Sequence, residues 1–476
     1  MTDAPTIAMA LDQRNRDTPD ALAFAFGNES LTYRQLSDDA ESLARTLLND
    51  GIERGDRVAI LMPAGLDLVR AFYALQRIGA VPCIFDPHVP AATTARRIDA
   101  IRPRRTLTEI SRGGAGFQPA HEARAESPRP FDPNAIAFLQ QTSGTSGEPL
   151  AAVVLQRNVV ASLDSIRERI DPSPGDVLVG WVPPWHDLGL LRFLIGPVFF
   201  GLPCHLIPPA VKTIPQWLST ITTTRGTITG APDFAWRLAT RLVDAAAVDL
   251  RSLRWATNGG EPVRATTIEA FESRFGLKNV LCPGYGLAEA TLGVSTTRGG
   301  DALRVDEHGN VGCGKPLKDV EVRIEADEIL VRGPNVFAGY FDADDATARA
   351  LRGGWLHTGD FGKLDADGNL YVLGRQRAMI KRGGVALAPR ELEEAAQSVA
   401  GVRVAAALGV PSGLTEEIVV VVEAEGDASS IEIAVAADAG GDVAGVGDAI
   451  THFGDVAESR CDATDGGRLG VGRAGR

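Results

Sequence analysis

The run Asp56-Arg57-Val58-Ala59-Ile60-Leu61-Met62 reads as a strand, and the pattern on its C-terminal side decides the fold class. An apolar-periodic stretch begins at about Leu66 and ends near Gly79, and Ala80-Val81-Pro82-Cys83-Ile84-Phe85 is a second apolar run. Strand, helix and strand at this spacing predict a parallel pair with a helix laid across it, because parallel strands need a crossover and are buried on both faces. The unit recurs in both directions. Thr32 and Gln35 fit a capping box opening a helix that ends at Gly51. Residues 177–182, 226–229 and 253–257 are strand patterns, each ahead of a helical one, and Pro262 suits the first turn of the third of these helices. The predicted class is α/β, with a large N-terminal domain of two helix-covered sheets.

After about Gly299 short strands take over, at 321–324, 328–331, 361–364 and 370–373, with Asp365-Ala366-Asp367-Gly368 as a hairpin turn between the last two. This predicts a β-rich subdomain from about residue 300, closing an N-terminal domain of residues 1–374. A small α+β lobe is expected over residues 375–430, with a helix starting at Pro389 and strands at 402–410 and 418–423. Residues 431–476 differ. They hold 10 Gly, 9 Ala, one aromatic and no Lys among 46 residues, without helical or strand period, and are expected to be disordered. Gly470-Val471-Gly472-Arg473-Ala474-Gly475 spells a dinucleotide fingerprint, but it follows no strand and opens no helix, so it is not read as one.

The 476 residues are 44% hydrophobic and 23% charged, which is globular, and the net charge of −13 argues against a nonspecific nucleic-acid binder. Five scattered Cys with no CxxC pair make a disulfide framework or a structural zinc site improbable. No signal peptide is recognisable before residue 10, and the most apolar stretch, 188–207, is broken by Arg192, Pro197, Gly201 and Pro203. It reads as a buried helix, turn and strand rather than a membrane span, and the expected location is cytoplasmic.

Four stretches carry chemistry. Gln141-Thr142-Ser143-Gly144-Thr145-Ser146-Gly147-Glu148-Pro149 follows a strand pattern at 134–140. Its glycines let backbone N–H groups converge on an anion and its hydroxyls add donors, which suits a polyphosphate; a plain Ser/Gly loop is the alternative. In Pro283-Gly284-Tyr285-Gly286-Leu287-Ala288-Glu289-Ala290-Thr291, a Tyr between glycines offers a ring face to a flat base, and Glu289 a carboxylate to a cation beside phosphate. A packed Tyr with a solvated Glu would look the same. In Trp355-Leu356-His357-Thr358-Gly359-Asp360, an Asp held at a tight turn could accept both hydroxyls of a ribose, or simply make an Asx-turn. At Gly374-Arg375, a guanidinium at a domain seam could reach ribose and phosphate.

Order and spacing together resemble the adenylate-forming superfamily of acyl-CoA synthetases, peptide-synthetase adenylation domains and luciferases, over residues 5–425. Leu61-Met62-Pro63-Ala64-Gly65-Leu66-Asp67, Pro184-Trp185-His186-Asp187-Leu188-Gly189-Leu190, Asn258-Gly259-Gly260-Glu261-Pro262-Val263-Arg264 and the Tyr285 stretch look most like the fatty acyl-AMP ligase branch. The resemblance implies that Thr142, Ser143, Gly144, Thr145, Ser146 and Gly147 form a phosphate loop. It implies that Gly259, Gly260, Glu261 and Gly286 line an adenine slot with Tyr285 on the base. Glu289 would bind Mg²⁺, Asp360 the ribose, and Arg375 ribose or phosphate. Arg377 would be the hinge about which the C-terminal lobe turns. His186 would stand at the mouth of an acyl pocket, with a core or helix-start role as the alternative, and Asp187 reads better as a helix cap than as a substrate anchor. Residues 190–206, with Phe193, Phe199 and Phe200, suit either a greasy pocket or plain core. ATP is the implied substrate and Mg²⁺ the implied cofactor. The partners would be a fatty or other carboxylic acid, and CoA or an acyl carrier protein as acceptor.

Three departures bear on this. The phosphate loop continues Pro149-Leu150-Ala151 where the family has Pro-Lys-Gly. The family's lysine near the C-terminus, which contacts the carboxylate and α-phosphate, has no counterpart, because none of the six Lys follows Lys381. A shifted reading frame or a decayed lobe would each explain the tail, and the second would leave a nucleotide or acyl-adenylate binder rather than an enzyme. Fatty acyl-AMP ligases often carry an extra segment in the N-terminal domain, and the 69 positions from Glu289 to Thr358 leave little room for one there, which keeps an acyl-CoA synthetase open.

Overall fold

The computed structural model describes residues 6–110, 132–142 and 149–375, and after them 380–382, 385–387, 389–398, 402–412 and 415–424. The chain divides into two compact units, Met1–Leu373 and Gly374–Arg476. In the first unit, parallel strands fill the middle of an eight-stranded sheet in the order Leu281–Leu287, Trp255–Asn258, Ile228–Ala231, Leu178–Gly180, Cys204–Leu206 and Leu22–Phe26. Leu292–Thr296 and Glu29–Thr32 add antiparallel edges. Alternate residues face opposite cores: Trp255 packs with Phe193 and Leu191 on one side, Ala256 with Trp217 and Trp236 on the other.

A second, parallel sheet joins Val81–Ile84, Arg57–Ile60 and Arg105–Leu107, with the expected helix at Leu66–Ile78. Gly79 ends that helix in the left-handed conformation at φ 77°, where a side chain would be strained. The capping box is present as read: Thr32 Oγ1 accepts from the Gln35 N–H at 3.2 Å and Gln35 Oε1 from the Thr32 N–H at 2.9 Å, opening Tyr33–Asn49. The stretch after His186 becomes a π-helix, Gly189–Ile195, then Gly196–Phe200, a turn at Gly201 and the strand Cys204–Leu206. No helix among the described residues is long and apolar enough to cross a membrane. Cys83, Cys204, Cys282 and Cys313 are buried and in no disulfide.

Two local readings are corrected. Pro262 does not start a helix; the helix is Ala265–Phe275. Its start is set from another element, because Asp233 accepts from the Arg264 N–H at 3.1 Å and from the Thr267 hydroxyl at 2.9 Å. Asp360 is not at a tight turn either. It lies inside the ten-residue strand Trp355–Leu364, at an irregularity where Gly359 takes φ 70°. Glu328 across the sheet accepts from the Gly359 N–H at 2.9 Å and meets His357 Nδ1 at 3.0 Å, so the chain bulges instead of reversing. The β-rich sheet also contains Glu321–Glu325, Glu328–Arg332, Leu351–Arg352 and Leu370–Arg375. The hairpin turn at Asp365 forms as expected, with its carboxylate accepting from the Asp367 and Asn369 N–H groups at 2.9 and 2.8 Å.

In the second unit, Ile380–Arg382 pairs with Val385–Leu387, the helix Pro389–Ser398 comes next, and Val402–Ser412 pairs with Thr415–Ala424. Residues 431–476, and the glycine fingerprint within them, lie outside the described residues.

Candidate active site

In a parallel sheet, ligands sit at the carboxyl ends of the strands. Four neighbouring strands end here, three of them in stretches singled out by sequence. Leu178–Gly180 leads to His186 and Asp187, Ile228–Ala231 to Asp233 and Phe234, Trp255–Asn258 to Gly259, Gly260 and Glu261, and Leu281–Leu287 carries Tyr285 and Gly286 and delivers Glu289. The glycines are needed for close approach. A Cβ on Gly259 would overlap the Gly284 carbonyl, and one on Gly286 the Leu292 carbonyl. Gly260, at φ 91°, leaves its face open to His186, whose Cε1 would lie 3.7 Å from an added Cβ.

Two stretches far apart in sequence meet at one hydrogen bond: the Tyr285 hydroxyl donates to Asp360 Oδ2 at 2.6 Å. Asp360 is buried, and its own N–H donates to Thr358 Oγ1 at 3.1 Å while that hydroxyl donates to the Ile329 carbonyl at 2.7 Å. The carboxylate therefore sits on a strand held rigidly beside the Tyr ring.

Glu289 lies in a short 3₁₀ turn, Ala288–Ala290, and accepts from the Tyr340 hydroxyl at 2.6 Å. The turn is fixed from behind. Buried Asn335 donates to the Ala290 and Gly293 carbonyls at 2.9 and 2.8 Å, Ser162 to the Thr291 carbonyl at 2.6 Å, and the Phe337 N–H to the Glu289 carbonyl at 2.9 Å. Thr291 and Leu292 both take positive φ there, which is strained backbone that only such a network sustains. Tyr340 bridges to Ala152 on the strand Ala151–Leu155. That strand pairs with Ile136–Gln141, and the Thr142 N–H donates to the Leu150 carbonyl at 3.0 Å. The base of the predicted phosphate loop is thus a closed hairpin joined through Tyr340 to Glu289. Ser143, Gly144, Thr145, Ser146 and Gly147 lie outside the described residues, as does Arg377. Arg375 is exposed at the end of Leu370–Arg375.

His186 and Asp187 form a pair, Nδ1 to Oδ1 at 2.7 Å. Asp187 raises the His186 pKa against burial, which lowers it. The Asp187 oxygen also accepts from the Leu188 N–H at 2.7 Å, but that is a bond to the next residue and the helix start has no side-chain cap, so the expected capping role of Asp187 is not formed; His186 Nδ1 lies 3.2 Å from the same N–H. Glu261 accepts from the Phe234 N–H, and burial pushes its carboxyl above the usual range. Among the described residues no cluster of three or more His, Cys, Asp or Glu could hold a metal alone. One carboxylate is what a Mg²⁺ shared with phosphate oxygens needs, so Glu289 fits that use. Sequence reading missed Tyr340, Asn335, Asp233 and Glu328, each of which acts across a long separation with no local signature.

The helix-covered sheet, its strand-end residues and the β-rich sheet that follows have the architecture of the adenylate-forming enzyme fold. Residues 11–341 match the model of the AMP-binding enzyme family, and the chain belongs to that family. It is 28% identical to the medium-chain-fatty-acid–[acyl-carrier-protein] ligase JamA of Moorena producens, over 76% of this chain and 74% of that one. It is 30% identical to a 2-succinylbenzoate–CoA ligase of Bacillus cereus, over 84% of each. A solved structure from work on the fatty acyl-adenylate ligases of E. coli and L. pneumophila superimposes with TM-score 0.78 at 28% identity, over 91% of each chain.

Proposed function

We propose that the chain uses ATP to activate a carboxylic acid, a fatty acid, as acyl-AMP with release of pyrophosphate, and passes the acyl group to a thiol. In this reading the Tyr285 ring stacks on the adenine against Gly259, Gly260 and Glu261, and Asp360 accepts the ribose hydroxyls. Residues 142–147 hold the phosphates, Arg375 grips ribose or phosphate, Glu289 supplies the protein ligand to Mg²⁺, and residues 1–374, 375–430 and 431–476 act as adenylation domain, partial lobe and tail. Bound Mg²⁺ would neutralise charge on the phosphates during attack on the α-phosphorus. His186 faces the acid from the start of the π-helix. The observation that supports the reading most is the Tyr285–Asp360 hydrogen bond, because it brings together two motifs 75 residues apart that the reading assigns to one nucleotide. The acceptor is the phosphopantetheine thiol of a carrier protein, in line with the JamA-type relative, and the CoA ligase relative supports CoA as the alternative.

ATP–pyrophosphate exchange with a panel of acids is the test. The absence of any lysine after Lys381 removes a group at the reacting centre, so exchange is expected to be slow by about 10²–10³-fold relative to a lysine-bearing ligase. AMP binding without exchange by any acid would favour the second reading, a nucleotide or acyl-adenylate binder.

A further inference from the structure

Two neighbouring carboxamides close the strand Ile136–Gln141, directly before Thr142, and they reach in opposite directions. Successive side chains of a strand leave opposite faces. Gln140 shares its face with Phe138, which belongs to the large core that holds Leu191 and Phe193, and Gln141 shares its face with Leu139, which packs with Ala59 and Cys83 of the second sheet. The Gln141 amide donates to Cys83 Sγ at 3.5 Å. Gln140 is 4% exposed, and its Nε2 donates to the Trp185 carbonyl at 3.0 Å and to the Gln141 carbonyl at 3.3 Å.

Trp185 precedes His186, and the turn that carries both is closely braced. The His186 N–H donates to the Pro183 carbonyl at 3.1 Å, and the Leu190 N–H donates to the His186 carbonyl at 2.9 Å. Gly189 lies so near that a Cβ there would overlap the Pro183 and Val182 carbonyls. In a turn held this way, a bond to the Trp185 carbonyl also places the His186 imidazole, which stands over Gly260. An apolar side chain would fill the space of Gln140 without the cost of drying an amide. What the amide adds is a fixed direction and distance between the phosphate-loop strand and the His186 turn.

We propose that Gln140 is a positioning residue for acid activation: it ties the His186 turn to the strand that carries the phosphate loop, so that the acid and the α-phosphate are held at one separation. This rests on the reading above, in which His186 faces the acid and residues 142–147 hold the phosphates. Attack requires the reacting atoms at about 3–3.5 Å, and a misplacement of about 1 Å can cost roughly 100-fold in rate. Gln140 acts through the Trp185 carbonyl and the backbone beside it, and touches neither reactant.

The test measures binding, so that it does not depend on turnover. Non-hydrolysable acyl-sulfamoyl adenosines made from octanoic, dodecanoic and hexadecanoic acids carry both halves of the reacting centre on one molecule, whereas AMP carries one. Each is titrated by calorimetry into the wild type, Gln140→Met, His186→Ala and the double mutant. The wild type is expected to bind at least one analogue more tightly than AMP. Gln140→Met, similar in length but without the donor, should weaken that analogue about 10-fold and leave AMP affinity unchanged. In the double mutant it should add nothing to the loss caused by His186→Ala. Gln140→Leu is the second variant should Met fail to fold. Undiminished analogue binding in the Gln140 variants, or in His186→Ala, overturns the proposal. Equal losses of AMP and analogue together with a lower melting temperature identify Gln140 as core packing only, and additive losses in the double mutant show that it does not act through His186. Each of these leaves the acid-activating reading standing. A wild type that binds no analogue more tightly than AMP overturns that reading and the proposal together.

Discussion

The Tyr285–Asp360 hydrogen bond can be taken apart by a double-mutant cycle. Asp360→Ala removes the buried carboxylate that the proposed site assigns to the ribose. Hydrogen bonds to charged groups are worth about 1.5–3 kcal/mol, so AMP affinity should fall roughly 10–150-fold. Tyr285→Phe keeps the ring and removes only the hydroxyl, which donates to Asp360 at 2.6 Å. If that hydroxyl acts through Asp360, the loss in AMP binding is about 1 kcal/mol, and the double mutant binds no worse than Asp360→Ala alone. Tyr285→Ala should cost a further 1–3 kcal/mol or so, as the base loses its stacking partner. In the absence of nucleotide, Tyr285→Phe also leaves a buried carboxylate short of a donor, and the melting temperature should drop by a few degrees. Isothermal calorimetry with AMP and thermal melts on the four proteins give every term. Additive losses in the double mutant would mean that the hydroxyl touches the nucleotide independently. Unchanged affinity in Asp360→Ala would remove Asp360 from the ribose site and, with it, the main support for where the nucleotide lies.

Three further outcomes are expected. Tyr340→Phe frees the Glu289 carboxylate from its 2.6 Å donor without altering the turn behind it, so the Mg²⁺ concentration for half-maximal exchange should shift while AMP binding in EDTA does not; no shift would separate Tyr340 from the metal. Asp187 raises the His186 pKa, so the imidazolium persists to higher pH, and any step needing it is retained below that value and lost as pH rises through it. Asp187→Asn should move the basic limb of kcat/KM for exchange to lower pH, and a limb that stays in place would show that the His186 charge is not used. At the opposite end of the sheet, burial pushes the Asp176 carboxyl up, but Arg254 at 2.7 Å, the Ser173 N–H and Thr227 outweigh it and hold the carboxyl below its usual range. Stability from that pair is present above the unfolded carboxylate value near 4 and fades as pH falls through the lower folded value. Asp176→Asn should therefore destabilise by about 1–3 kcal/mol near neutrality and by much less in strong acid, read from urea melts across pH.

What the sequence discloses divides along the range of the interaction. The capping box at Thr32, the Gly79 stop and the Asp365 turn are local devices, in which the groups that bond lie within four residues of each other, and each forms as read. The strands of the main sheet are legible for a related reason, because burial on both faces writes an apolar run at each. The errors at Pro262 and Asp360 have one cause. In both, a carboxylate from a distant element captures backbone N–H groups and overrides the local preference: Asp233 delays the helix, and Glu328 keeps the strand extended through Gly359. The site divides in the same way. Tyr285, Glu289 and Asp360 could be picked out by type and setting, but their partners lie 75 and 51 residues away, and nothing near Tyr340 marks it as the donor to Glu289. Arg192 is the sharpest case. In sequence it is one charge in an apolar run, useful only as an argument against a membrane span. Folding places it on a π-turn with its guanidinium against the Trp255 ring and two of its donors unmatched, none of which the local sequence marks.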